Sequence, residues 1–127
     1  MYRLDLTDYL ALAADVLSAP SDEIPHIADL ADVESALAAP FAEFGGVVFH
    51  PEPYERAAIL CSRLIRNHPL PDGNKRSAWL AMRMFLAMND LPFAVPSPDE
   101  VEQVITGLAA SEMTEADFVD WVRRHGV

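Results

Sequence analysis

Basic residues are in short supply: nine lysines and arginines stand against twenty acids in 127 residues, for a net charge of −11. A chain this acidic lacks the basic face that general nucleic-acid binding requires, so no direct nucleic-acid partner is expected. Cysteine is rarer still. The one cysteine, Cys61, excludes an internal disulfide framework and a cysteine-based metal cluster. Its setting in Ala57-Ala58-Ile59-Leu60 reads as that of a buried, unreactive thiol. No apolar run approaches the roughly 18 residues that span a bilayer. The N-terminus lacks the basic stretch and apolar core of a signal peptide. A soluble, cytoplasmic protein with no membrane partner is expected. With only five glycines, the chain contains no G-x-x-x-x-G-K-S/T loop, no G-x-G-x-x-G turn and no G-x-S-x-G elbow. His26, His50 and His125 lack metal-ligand spacing, and none forms H-E-x-x-H. What remains is a globular chain, 51% apolar, long enough for one domain over residues 1–127.

The few cations are unevenly placed. Residues 56–83 hold Arg56, Arg63, Arg66, Lys75, Arg76 and Arg83 against a single acid, Asp72, while all other residues hold three cations against nineteen acids. Such a strip suits either a small-anion site or a set of arginines bracing helices.

The patterning is nearly all helical. Leu6, Tyr9, Leu10, Ala13, Val16 and Leu17 predict a first helix to about Ser18, capped by Asp5 or Thr7. Pro20 to Pro25 reads as a loop, and a second helix is predicted from about Asp29 to Ala39. Residues 41–50, with Gly45-Gly46 before Val-Val-Phe, read as a short extended flap or a plain loop. Pro53 suits the first turn of a third helix running to about Asn67, with Glu52 and Glu55 near its positive end. Pro69 and Pro71 forbid continuation. A fourth helix, capped by Asn74 and running to about Met88, is apolar on nearly every face and so belongs at the centre of the bundle. A fifth is expected from Pro98 or Asp99 to about Thr106, and a sixth from Thr114 to about His125.

The segment His68-Pro-Leu-Pro-Asp-Gly-Asn-Lys-Arg76 carries the chemistry. Pro71-Asp72-Gly73 is a turn signature, and a plain connection ending in an Asn cap would account for Pro71, Gly73 and Asn74. It would not account for His68, Asp72, Lys75 and Arg76 crowding into nine residues. A helix N-terminus presents unpaired N–H groups and a positive dipole end, which bind phosphate. Gly73 allows close approach of a ligand to the backbone. Lys75 and Arg76 oppose the dipole, at a cost of roughly 0.3–1 kcal/mol each, unless an anion lies between them. Asp72 beside phosphates is a natural magnesium ligand, since magnesium commonly takes one or two carboxylates plus phosphate oxygens. Histidine is the side chain suited to accepting a hydroxyl proton near neutrality, which makes His68 the candidate general base.

These residues resemble the signature of the Fic/Doc family, H-x-F-x-D/E-G-N-G-R-x-x-R in its AMP-transferring branch. They are closer to the Doc branch, where lysine replaces the last glycine and the second arginine is missing: Lys75 stands at the glycine position and Trp79 where that arginine would be. Leu70 replaces the usual Phe, a change that leaves the loop anchor apolar. Asp32 to Pro40, Phe44-Gly-Gly and Tyr54 to Ala58 extend the likeness, which covers roughly residues 5–120. The resemblance implies an all-α, compact Fic-like bundle of about six helices, with a buried central helix over about 74–88 following the motif loop. It also implies a toxin of a toxin–antitoxin pair that moves the terminal phosphoryl of ATP to a threonine of elongation factor Tu and so blocks translation. His68 would take the threonine proton, Asp72 would hold Mg2+, Gly73, Asn74 and Lys75 would cradle phosphate, and Arg76 would hold a further phosphate. A Phd-like antitoxin is the implied partner. The alternatives are a Fic-type AMP transferase acting on a protein hydroxyl and a non-catalytic translation-blocking binder.

Overall fold

The computed structural model describes residues 1–126. Among them are seven α-helices and one small hairpin. Helix α1 (Leu6–Leu17) opens on a capping box: the Asp5 carboxylate accepts the Asp8 N–H at 2.8 Å, and Asp8 returns the contact to the Asp5 N–H at 3.0 Å. It ends at Ser18 in the left-handed conformation, φ 52°. The stretch read as a loop from Pro20 to Pro25 is non-helical through Glu23, but its last two residues enter a one-turn helix, α2 (Ile24–Ile27). Pro25 lies in its first turn, where a missing N–H costs nothing. Helix α3 (Leu30–Ala38) is capped by Asp29 and passes into a 3-10 turn at Ala39–Phe41.

The segment left between flap and loop is a hairpin. Strands β1 (Glu43–Phe44) and β2 (Val47–Val48) pair antiparallel, with Glu43 opposite Val48 and Phe44 opposite Val47. Gly45 and Gly46 both take positive φ, 58° and 81°, as a tight two-residue turn demands.

Helix α4 (Pro53–Asn67) starts where the Glu52 carboxylate accepts the N–H groups of Tyr54 and Glu55, at 3.1 and 2.7 Å. It packs against α3, α5 (Asn74–Met88), α6 (Pro98–Ala109) and α7 (Glu115–His125). Its residues Ile59, Leu60, Cys61, Leu64 and Ile65 are buried, and each large one contributes about 1.5–3 kcal/mol through burial. Burial also pushes the Cys61 thiol up, well beyond its usual range, so the expected inert thiol is found. Helix α5 buries Ala78, Ala81, Met82, Phe85 and Leu86, while Leu80 stays 39% exposed. The apolar fourth helix of the sequence is thus a core helix, and it shares the centre with α4. Helix α6 continues past the expected end at Thr106 to Ala109, absorbing Gly107 in its last turn at a cost of about 1 kcal/mol. An aromatic cluster joins α5, the following connector and α7: Trp79 lies 6.0 Å from both Phe93 and Trp121, and Phe118 stacks on Trp121 at 5.7 Å.

Candidate active site

The motif loop runs from the end of α4 to the start of α5, and backbone contacts fix it at several points. His68 terminates α4 in the left-handed conformation (φ 51°, ψ 54°), which turns the chain sharply and leaves its side chain exposed. The Pro69 carbonyl then accepts the Asp29 N–H at 2.8 Å, and the Asn67 side chain donates to the Asp32 carbonyl at 2.9 Å, so the start of α3 holds the end of α4. Leu70 is 2% exposed and serves as the apolar anchor expected of it.

Asn74 was expected to cap α5 and does not. Gly73 occupies the cap position with φ 74°, and Asn74 is the first helical residue. Its side chain points back into the loop, accepting the Leu70 N–H at 3.0 Å and donating to the Leu70 carbonyl at 2.8 Å. The left-handed Gly73 reverses the chain and brings Asn74 over Leu70. A Cβ on Gly73 would lie 2.9 Å from Val16 Cγ1 and 3.3 Å from Leu17 Cδ2, so the end of α1 presses directly on this residue.

The start of α5 therefore has no side-chain cap. Every other helix longer than one turn has one, from Asp5, Asp29, Glu52, Ser97 or Thr114, and carries an acid in its first turn. Helix α5 carries Lys75 and Arg76 there instead, and among the described residues neither makes an ion pair. The first-turn N–H groups and two cations thus border open space with no protein anion to satisfy them. Asp72 accepts the Gly73 N–H on Oδ1 at 2.8 Å and is otherwise exposed.

His68, Asp72, Gly73, Asn74, Lys75 and Arg76, all six sequence-predicted residues, line a single cleft of about 560 Å³. Val16 and Leu17 of α1, Ile65 of α4, Pro71 of the loop and Ala109 of α6 complete its wall. Val16, Leu17, Ile65 and Ala109 were missed in the sequence, where they read as ordinary apolar positions. A second cleft of about 480 Å³ shares Ile65, His68 and Ala109 with the first and is lined further by Arg66, Thr114 and Glu115. His68 thus stands on the ridge between two clefts, with the uncapped helix start on one side only.

The arginines of α4 have the other task. Arg63 grips Glu115 with two hydrogen bonds, Nε to Oε2 at 3.0 Å and Nη2 to Oε1 at 3.2 Å. Ser62 donates to the same carboxylate at 2.6 Å, and Arg66 lies 3.5 Å away. Burial pushes the Glu115 carboxyl upward, but the hydrogen bonds from Arg63 and Ser62 and the charges of Arg63 and Arg66 outweigh it, leaving a net downward shift. Arg63 and Arg66 brace α4 against α7, one of the two roles the sequence left open for the strip of cations. Arg56 likewise serves structure, donating to the His50 carbonyl at 2.7 Å and lying over the Phe41 ring.

Comparison with known proteins decides the family. Residues 3–86 match the Fic/DOC family. The chain belongs to the Fic/DOC family. It is 35% identical over 111 residues to "Toxin Doc" of Mycolicibacterium smegmatis, covering 84% of this chain and 85% of that protein. The resemblance carried by the motif thus extends over most of this Fic/DOC chain. The mostly helical fold, with the motif loop between two core helices, is the architecture expected from it.

For the groups the resemblance implies, the fit is favourable. Uncapped N–H groups, a left-handed glycine and two unpaired cations suit the phosphates of ATP. Among the described residues no group of three or more His, Cys, Asp or Glu is positioned to hold a metal. A magnesium ion at Asp72 would instead draw on that carboxylate, phosphate oxygens and water, which is its usual coordination beside nucleotides. Among the described residues no helix is long and apolar enough to cross a membrane.

Proposed function

We propose that this Fic/DOC protein is the toxin of a Phd/Doc-type toxin–antitoxin pair acting in the cytoplasm, a kinase that transfers the terminal phosphoryl of ATP to a threonine of elongation factor Tu. One observation carries the reading: the uncapped, cation-bearing start of α5 borders the same cleft as His68 and Asp72. When bound, magnesium ATP would supply the terminal phosphoryl group, with ADP as the leaving group.

The side chains divide the remaining work. His68 accepts the proton of the threonine hydroxyl as its oxygen attacks, and its position between two clefts leaves one side for the nucleotide and the other for the target. Asp72 holds the magnesium ion. Gly73, whose own N–H is held by Asp72, lets phosphate approach the backbone closely, and Asn74 contributes its backbone N–H, with its side chain occupied in fixing the loop. Lys75 and Arg76 offset phosphate charge. Their contribution is positioning and electrostatic stabilisation, as in phosphoryl transfer generally.

The reading as an AMP transferase is weakened by Trp79. A second arginine at that turn of α5 would hold additional phosphates, whereas Trp79 packs on Phe93 and Trp121 and carries no charge. The relative named as a toxin suggests growth arrest as the cellular outcome and an antitoxin as the partner. Expression of the His68→Ala variant tests the mechanism: growth arrest should disappear. A His68→Ala protein as toxic as the parent would favour a non-catalytic binder.

A further inference from the structure

The second cleft, on the side of His68 away from the uncapped helix start, is lined by three hydroxyl side chains, Ser62, Ser111 and Thr114. The motif cleft is lined by none. Two of the three are engaged. Ser62 is 3% exposed and donates to Glu115 at 2.6 Å. Thr114 Oγ1 accepts the Asp117 N–H at 3.0 Å and caps α7. Ser111 is exposed, and among the described residues its hydroxyl makes no hydrogen bond. It stands in the turn between α6 and α7 in the left-handed conformation, φ 60°. That turn is pinned. The Gly107 carbonyl accepts the N–H groups of Glu112 and Met113 at 2.8 and 3.1 Å, and the Ser111 N–H donates to the Leu108 carbonyl at 3.2 Å. A fixed backbone thus keeps a free hydroxyl in the cleft that the proposed reaction assigns to the target. Arg66 is the one arginine or lysine lining this cleft, and its side chain is 60% exposed. The cleft's carboxylate, Glu115, is already matched by Arg63 and Ser62, so Arg66 has donors to spare.

We infer that Ser111 is a self-phosphorylation site through which the protein limits its own activity. The inference rests on the phosphoryl-transfer reading of the motif cleft and extends it to regulation. His68 borders both clefts, so the base that serves a target hydroxyl also borders the cleft of Ser111. The Ser111 Oγ attacks the terminal phosphorus of ATP, and the bond from that phosphorus to the oxygen bridging it to the β-phosphate breaks. The serine proton passes to His68, and ADP leaves. A hydroxyl tethered in the cleft has an effective concentration of roughly millimolar or more, so it competes with a dilute target. The phosphoserine formed carries about −1.5 to −2 charges at neutral pH. Arg66 meets that charge with the hydrogen bonds that guanidinium groups make to phosphate. Held there, the phosphoserine fills the cleft that a target needs.

The test incubates the full chain with magnesium and gamma-labelled ATP, with no target present, and locates the label by fragmentation mass spectrometry. Label should accumulate on Ser111. The fraction labelled per unit time should stay constant over a roughly hundredfold range of protein concentration, as a step within one molecule requires. Ser111→Gly removes the hydroxyl and suits the left-handed backbone, so it should fold and take no label. Preincubation with magnesium ATP should slow the parent's later labelling of elongation factor Tu by at least about tenfold, and that of Ser111→Gly by less than about twofold, each against its own rate without preincubation. If elongation factor Tu is labelled and the chain is not, the inference is overturned and the kinase reading stands. Label on Ser62, Thr114 or another residue overturns it, as does a labelled fraction that rises with protein concentration. Label on Ser111 with no slowing of target labelling overturns it too. If neither protein takes label, the kinase reading fails and this inference fails with it.

Discussion

The side chain of Asn74 bonds both backbone groups of Leu70, the N–H at 3.0 Å and the carbonyl at 2.8 Å, closing the motif loop on itself. Leu70 is buried, so neither group has water as an alternative partner. Asn74→Ala should lower stability by about 2–4 kcal/mol, since two buried backbone groups lose their partners. The urea midpoint of unfolding measures it. An unchanged midpoint would show that the loop does not depend on this pair.

Gly73 combines a left-handed backbone with close contact from α1. Gly73→Ala should cost about 1–2 kcal/mol from the backbone alone, with a further loss from the contact to Val16 Cγ1. In a Val16→Ala background the penalty should be smaller but not absent, because only the contact is relieved. Equal penalties in both backgrounds would remove α1 from the account.

Much of this geometry was legible in the sequence, and the exceptions have physical causes. Helices α1, α3, α4 and α7 announced themselves through apolar spacing and acidic or hydroxyl caps at Asp5, Asp29, Glu52 and Thr114. All six residues proposed from the motif line one cleft. Asn74 was misread because Asn after Gly is a common cap signal, and only the three-dimensional return of the loop reveals its bond to Leu70. Ile24–Ile27 was missed because one turn containing a proline has no periodicity to detect. Val16 and Leu17 gave no site signal at all: an apolar residue at a helix end looks the same whether it meets core or cleft.

Glu115 ties the end of α4 to α7 through Ser62, Arg63 and Arg66. Its net shift is downward, so folding gains from its ionisation at neutral pH, and the gain is lost as pH falls through its folded-state value. Glu115→Gln should therefore be less stable than the parent at pH 7, by about 1–3 kcal/mol. The difference should narrow below the ordinary glutamate range of about 4.3. Urea unfolding of both proteins across that interval measures it, and a gap that widens with acid would contradict the assignment.

His68→Asn separates chemistry from folding. Asparagine tolerates the left-handed backbone found here, and the replaced side chain is exposed, so stability should stay within about 0.5 kcal/mol. Phosphoryl transfer should nevertheless be lost, because no side chain then accepts the hydroxyl proton. Retained transfer would move the general base elsewhere.

The most direct test of the account is where the label goes. Purified protein is incubated with elongation factor Tu, magnesium and ATP labelled at either the alpha or the gamma phosphate. The account predicts gamma label on a threonine of the target and none from alpha-labelled ATP. Alpha label on the target would make the protein an AMP transferase, and no label from either would leave it a binder; either result contradicts terminal phosphoryl transfer.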